Sequence, residues 1–128
     1  MIVNDPATLA EVEAVFARYE TALVENDVAV LDELFWQDER TIRYGMGENL
    51  DGVSEILAFR KGRSPAGLAR DLDRTIITTF GTDYATASTL FRRAGAPGRV
   101  GRQMQTWVRM DSGWRVVAAH VSIIDEAG

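Results

Sequence analysis

The stretch Arg102–Ile124, RQMQTWVRMDSGWRVVAAHVSII, reads as two long strands joined at Asp111–Ser112–Gly113, a short polar turn containing glycine. Side chains alternate along a strand, so Trp114, Val116, Ala118, His120 and Ser122 are expected on one face of the second strand. Arg115, Val117, Ala119, Val121 and Ile123 are expected on the other. Both rows are largely apolar, which suits a central strand covered on both faces better than an edge strand in water. One row calls for a helical layer or pocket. The row Val117, Ala119, Val121 and Ile123 would be an exposed patch on a monomer, so a homodimer through the outer sheet face is expected. On this alternation His120, the only histidine, shares a face with Trp114. In the preceding strand Gln103 and Gln105 go with Trp107, while Arg102 goes with Met104, Thr106 and Val108. Alternation alone leaves open which of those two sets lines a cavity.

Upstream the chain is helical. Asn4–Asp5–Pro6 is a helix start, with a capping side chain followed by proline at the first helical position. Leu9, Val12, Phe16, Tyr19 and Leu23 then fall on one helical face. Asn26–Asp27 breaks that helix and caps a second one carrying Val30, Leu31, Leu34 and Phe35. Thr41–Tyr44 reads as a short strand with Thr41 and Arg43 on one face and Ile42 and Tyr44 on the other. Glu48–Asn49–Leu50 is a brief return strand, and Asp51–Gly52 opens a third helix that ends by Gly62. After the loop Ser64–Gly67 come two more strands, Arg70–Phe80 and Tyr84–Arg93. Three helices followed by a four-strand meander predict an α+β domain: N-terminal helices packed on a curved antiparallel sheet that encloses a cavity.

At 128 residues the chain makes a single domain, 1–128, with 46% hydrophobic and 26% charged residues. The absence of cysteine excludes disulfides, thiolate metal sites and cysteine catalysis. A net charge of −5 without a basic run argues against nucleic acid, and an anionic substrate needs locally placed arginines. No apolar run is long enough for a membrane span, and the N-terminus lacks the basic character of a signal peptide, so a cytoplasmic address is the default expectation.

No phosphate-loop, zinc or nucleophile-elbow motif is present, so chemistry must come from polar side chains at core-facing positions. Tyr19 is either a core aromatic whose hydroxyl finds any partner or a working phenol. Arg43 is either solvated or, if inward, obliged to pair, and its planar fork suits a carboxylate. His120 is either a general base or a satisfied core histidine. Arg70, Asp71, Asp73 and Arg74 read most simply as a solvated, salt-bridged strand surface. Asp38 is a turn residue that an isomerase reading would enlist as a base.

The whole chain resembles the AtzH-like family of the SnoaL-like, nuclear-transport-factor-2-like (cystatin-like) superfamily. The resemblance is carried by FARYETALVENDVAVLDELFW, RTIRYGMGENLDG, AFRKGR, TTFGTDYATA and GRQMQTWVRMDSGWRVVAAHVS. It implies a conical cavity between a bent sheet and the helices. It also implies a cofactor-free, metal-free hydrolase that decarboxylates 1,3-dicarboxyurea to allophanate in cyanuric acid breakdown. The family's functional tyrosine and arginine carry over to Tyr19 within ARYE and Arg43 within TIRYG, with Gln105 and His120 as further candidates for binding the small anionic substrate. A non-catalytic binding module and an isomerase or cyclase of the ketosteroid type are the rival readings.

Overall fold

The computed structural model describes residues 1–126. Its elements are α1 (Pro6–Glu25), α2 (Val28–Leu34), β1 (Ile42–Tyr44), β2 (Asn49–Asp51), α3 (Val53–Lys61), β3 (Asp71–Phe80), β4 (Tyr84–Arg92), β5 (Arg99–Met110) and β6 (Gly113–Asp125). Asp5 caps α1 by accepting from the Thr8 amide (3.1 Å) and the Thr8 hydroxyl (2.8 Å), and Pro6 follows at the first helical position. The helix ends at Asn26, which takes the left-handed conformation (φ 49°). The Asn26 amide then donates to the Arg60 and Arg63 carbonyls at 3.2 and 2.8 Å, tying the end of α1 to the end of α3.

The six strands form one sheet in the order β2-β1-β6-β5-β4-β3. All neighbours are antiparallel except β1 and β6, which run parallel with Arg43 beside Ala119 and Tyr44 beside His120. The helices cover one face. Val12, Phe16, Tyr19 and Leu23 of α1 meet Leu31, Leu34 and Phe35, together with Ile56 of α3 and Ala85, Ala87, Trp107, Trp114 and Val116 of the sheet. Each large apolar side chain so buried contributes roughly 1.5–3 kcal/mol relative to exposure. The α+β architecture, the three helices and the central place of β6 match the sequence reading.

Two bulges correct that reading in detail. In β6 the pairing steps from Trp107–Val116 to Thr106–Ala118, leaving Val117 as the extra residue. A single inserted residue reverses the parity of everything beyond it. Trp114 and Val116 therefore face the helices, and so do Ala119 and Val121, whereas His120 turns to the outer face. There it is exposed, edge-on to Tyr44 with 6.3 Å between ring centroids. The expected sharing of a face by His120 and Trp114 fails for this reason. So does the expected outer row of Val117, Ala119, Val121 and Ile123. The outer face instead carries Ile42, Tyr44, Met104, Ala118 and His120 around a shallow groove. The second bulge lies in β3 between Asp73 and Ile76, where Arg74 has φ 53°. It turns the start of that strand so that the Arg70 side chain is 1% exposed, not a solvated surface residue.

Gly101 sits opposite Phe91 in the β4–β5 pairing, and a methyl group there would overlap the Phe91 ring. Gly101→Ala is expected to destabilise the protein by about 1–3 kcal/mol through overpacking. Gly95→Ala, whose methyl meets nothing within 4 Å, serves as the matched control. Urea unfolding of both variants checks this, and equal midpoints would show that the ring yields freely.

Candidate active site

At the open end of the sheet, between α1, α3 and the inner face, lies a cavity lined by Tyr19, Leu23, Arg43, Met46, Glu48, Phe59, Arg63, Arg70, Arg93, Gln103 and Val121. Its room is about 80 Å³. On that measure one water needs about 10–15 Å³, so the space suits a compact organic molecule and not a steroid skeleton.

The elements deliver the polar groups in a way that local sequence explains. Tyr19 lies on the apolar stripe of α1 and is 3% exposed, packed edge-on against Trp107 and tilted against Phe35. Arg43 points inward from β1, beside Thr41, and is 6% exposed. Its parallel neighbour Ala119 is small, which leaves the guanidinium room to reach the cavity. Gln103 and Gln105 face inward with Trp107, whereas Arg102 points outward to the Ser122 hydroxyl. The question alternation left open is thereby answered. Gln105 joins Tyr19, Arg43 and Gln103 around the inner recess of the site.

Sequence reasoning missed the remaining arginines. Arg60, from the last turn of α3, is 1% exposed and buried over the Phe35 ring at 5.0 Å. Arg43 and Arg63 both lie on Phe59, at 4.9 and 5.4 Å. Arg70 and Arg93 both lie on Phe91, at 4.4 and 4.7 Å. Aromatic faces thus orient five guanidinium groups. Two protein carboxylates oppose them. Glu20 takes Arg70 in a forked pair at 2.6 and 2.8 Å, and Glu48 takes Nη1 of Arg43 at 2.8 Å. The signal that would have found these residues is the run FRKGR at the end of α3, where Phe59 precedes Arg60 and Arg63 follows.

The site is also short of acceptors. Among the described residues, eight buried side-chain nitrogens and oxygens lack a hydrogen-bond partner. Six of these are N–H donors: Arg93 Nε and Gln103 Nε2 on the cavity, Gln105 Nε2 at its inner recess, and the three guanidinium nitrogens of Arg60, which is buried beside Tyr19 and outside the cavity lining. The orientation of both amides is fixed by chemistry. Gln103 Oε1 accepts from Arg70 at 3.0 Å and Gln105 Oε1 accepts from the Trp107 indole at 3.1 Å, and neither donor can serve as an acceptor. Their NH₂ groups therefore remain available. Buried donors are normally satisfied, so a cluster of free ones calls for an acceptor-rich ligand.

Electrostatics act on the phenol. Burial alone would push the Tyr19 pKa up, but the charges of Arg60, Arg43 and Arg70 outweigh it and hold the hydroxyl below the usual tyrosine value of 10. Burial also lowers the Arg60 pKa, helped by the like charge of Arg43. Among the described residues no group of three or more His, Cys, Asp or Glu is placed to hold a metal ion, and no helix is long and apolar enough to cross a membrane.

A small cavity under a bent sheet, walled by helices and aimed at by a helix tyrosine and strand arginines, defines the class: a cystatin-like, nuclear-transport-factor-2-like fold. The chain belongs to the AtzH-like family, whose sequence profile matches residues 1–127. It is similar to a crystal structure of a protein of unknown function from the DUF3225 family of Pectobacterium atrosepticum: 62% identity, TM-score 0.94, covering 96% of this chain and 95% of that one. A cystatin-like fold protein from Burkholderia xenovorans is 48% identical with a TM-score of 0.95, covering 99% of both chains. A nuclear-transport-factor-2-like protein of unknown function from Pseudomonas putida, 19% identical with a TM-score of 0.78, shares the fold, covering 91% of this chain and 86% of that one. No curated protein matches the chain.

Arg60 offers a clean separation of stability from function. A buried charge without a partner is costly, and an apolar residue of similar size often improves stability. Arg60→Met is expected to leave urea stability unchanged or raised while moving the Tyr19 titration, followed by tyrosinate absorbance, to higher pH. Loss of stability in Arg60→Met would instead make Arg60 a structural strut.

Proposed function

We propose that the protein is a cofactor-free hydrolase that removes a carboxyl group from a small dicarboxylated urea-like molecule, as in conversion of 1,3-dicarboxyurea to allophanate. The observation carrying this reading is the surplus of cationic and N–H donor groups around the Tyr19 hydroxyl, in a cavity sized for a compact dianion. Family membership supports it, since the resemblance carries the family's working tyrosine and arginine over to Tyr19 and Arg43.

In the proposed reaction Arg43 grips the substrate carboxylate that stays. Gripping the departing one would stabilise a charge that vanishes as CO₂ forms, which would favour the ground state over the transition state. The Tyr19 hydroxyl gives its proton to the nitrogen as the C–N bond breaks, the bonding pair remains on nitrogen, and CO₂ leaves. The tyrosinate recovers a proton from water, and the resulting hydroxide adds to CO₂ to give bicarbonate. Arg60, Arg43 and Arg70 stabilise the transient tyrosinate, consistent with the lowered Tyr19 pKa. Gln103 and Gln105 donate to the substrate's carbonyl or carboxylate oxygens. His120, on the outer face, takes no part in this scheme.

Tyr19→Phe keeps the packing and loses the proton, so turnover is expected to fall on the order of a hundredfold with little change in KM. Arg43→Lys keeps the charge and loses the planar fork, so KM should rise strongly. Activity should decline on the alkaline side with an apparent pKa below 10, because deprotonating a general acid removes it, and that limb should be absent from residual Tyr19→Phe activity. Full activity in both variants on an accepted substrate would refute the assignment.

A second reading, a non-catalytic module that binds small dianions, is favoured by one observation: Arg43 is already paired with Glu48. Failure to turn over any carboxylated urea or amine, with glutarate still bound, would select it. The ketosteroid-isomerase type is disfavoured by the size and cationic lining of the cavity.

The proposal for assembly is a homodimer across the outer sheet face, supported by the exposed Ile42, Tyr44 and Met104 side chains around its groove. Met104→Glu is expected to convert a dimer into a 14.2 kDa monomer in sedimentation. A wild-type monomer at micromolar concentration would exclude the dimer.

A further inference from the structure

Glu48 is the one carboxylate that lines the cavity, and its position is built with care by the local sequence. It closes the turn Gly45–Glu48 between β1 and β2, where the Gly45 amide donates to the Glu48 carbonyl at 2.9 Å. One carboxylate oxygen takes Nη1 of Arg43 at 2.8 Å, and the other accepts from the Gly47 amide at 3.1 Å. A methyl group at Gly45 would overlap the carboxylate, so glycine is required there for Glu48 to reach Arg43. Burial would raise the Glu48 pKa, but the hydrogen bonds from Arg43 and Gly47 and the charges of Arg43 and Arg63 hold it below the ordinary value, so the group is an anion at neutral pH. The carboxyl side chain is 23% exposed, on a turn with two glycines, and is held by hydrogen bonds from Arg43 and the Gly47 amide alone among the described residues.

We propose that Glu48 is a resident competitor for the substrate's carboxylate: it occupies Arg43 in the empty site, is exchanged off Arg43 when the ligand enters, and so sets the ligand affinity. The inference rests on the reading of the cavity as a dianion site. It differs from both obvious roles for a carboxylate in that position. A permanent structural partner would keep Nη1 of Arg43 from the ligand, and a catalytic base would need to stay beside the reacting bond. Exchange keeps Arg43 oriented and compensated while the cavity is empty, at the expense of ligand affinity. A ligand that offers only one carboxylate replaces one ion pair with a similar one. A ligand with two also meets the Arg63 guanidinium and the unpartnered Arg93 Nε and Gln103 Nε2, which line the same cavity.

Glutarate is the probe, because its two carboxylates are separated by three atoms as in 1,3-dicarboxyurea and it has no bond to cleave. Calorimetric titration of the full chain with glutarate is expected to show about tenfold tighter binding in Glu48→Gln than in wild type. Glu48→Asp tests the exchange itself. It keeps the negative charge on a side chain one methylene shorter, which draws the carboxylate back from Arg43, and it should tighten glutarate binding nearly as much. Gly45→Ala should act in the same direction by expelling the carboxylate, although its methyl also lies 3.1 Å from Arg43 Nη1, which makes Glu48→Asp the cleaner variant. A crystal structure of the glutarate complex should place a glutarate carboxylate on Arg43 with Glu48 turned away. Tightening in Glu48→Gln alone would mean that only the charge matters, and Glu48 still on Arg43 beside bound glutarate would mean no exchange; either overturns the proposal while leaving the dianion site standing. Loss of turnover in Glu48→Gln with glutarate affinity unchanged would also overturn it, making Glu48 a catalytic group. Absence of glutarate binding in wild type and every variant would remove the dianion site itself.

Discussion

An arginine taken out of water must be compensated, and this structure compensates its arginines incompletely. Four guanidinium groups line the cavity and a fifth, Arg60, is buried beside Tyr19; among the described residues only Glu20 and Glu48 answer them with charge. Phe35, Phe59 and Phe91 supply the rest through their faces. Such contacts are worth about 0.5–2 kcal/mol each, less than the several kcal/mol that desolvating each ion costs. The deficit must be carried by the remainder of the fold. That is the structural sense of the other end of the molecule, where Val12, Phe16, Leu31, Leu34, Trp107, Trp114 and Val116 form a dry cluster with almost no exposed surface. A bound anion would offset part of that deficit.

The frame holds the arginines by backbone devices more than by side-chain packing. Arg60 comes from the last turn of α3 and Arg63 from just beyond its cap at Gly62, where a helix terminus would ordinarily be free to move. The Asn26 side chain accepts that role by hydrogen-bonding both of their carbonyls, so the left-handed end of α1 becomes the clamp for the arginines of α3. Arg70 depends on the bulge at Arg74, and the inward positions of Ala119 and Val121 depend on the bulge at Val117. The unfilled donors lie where these devices converge.

Most of the architecture was legible in the sequence because it rests on periodicity. The stripe of α1, the cap at Asp5, the turn at Gly113 and the alternation of β1 are local patterns with one physical solution each. Tyr19 was put on the buried stripe by those patterns, whereas Arg43 was assigned a face with Thr41 but left open as solvated or inward, and Gln105 was narrowed to one of two faces. Where the reading failed, it failed at the bulges. Alternation predicts a face only while the pairing stays in step, and one extra residue moved His120 outside and brought Ala119 inside. The charged run Arg70–Arg74 looked like solvated surface for the same reason: the bulge that separates buried Arg70 from exposed Arg74 has no signature beyond the run itself. Arg60 was hidden differently. Its burial is decided by Asn26, Tyr19 and Phe35, residues distant in sequence that only the fold assembles.

The sign of the field sharpens the chemical conclusion. With a net charge of −5, the protein as a whole repels a dianion. That repulsion is diffuse and is screened over a Debye length of about 8 Å at physiological ionic strength. The attraction of the cavity is local, made by donors that a ligand meets only after shedding water. Steering therefore contributes little to capture, and short-range complementarity does nearly all the recognition. A large flexible polyanion could not bring its charges within reach of the recessed donors without burying itself. A compact one with two carboxylates can satisfy Arg43, the glutamines and the outer arginines together. The cavity's size and its surplus of donors thus support the proposed ligand, small and doubly charged, against the protein's overall negative charge.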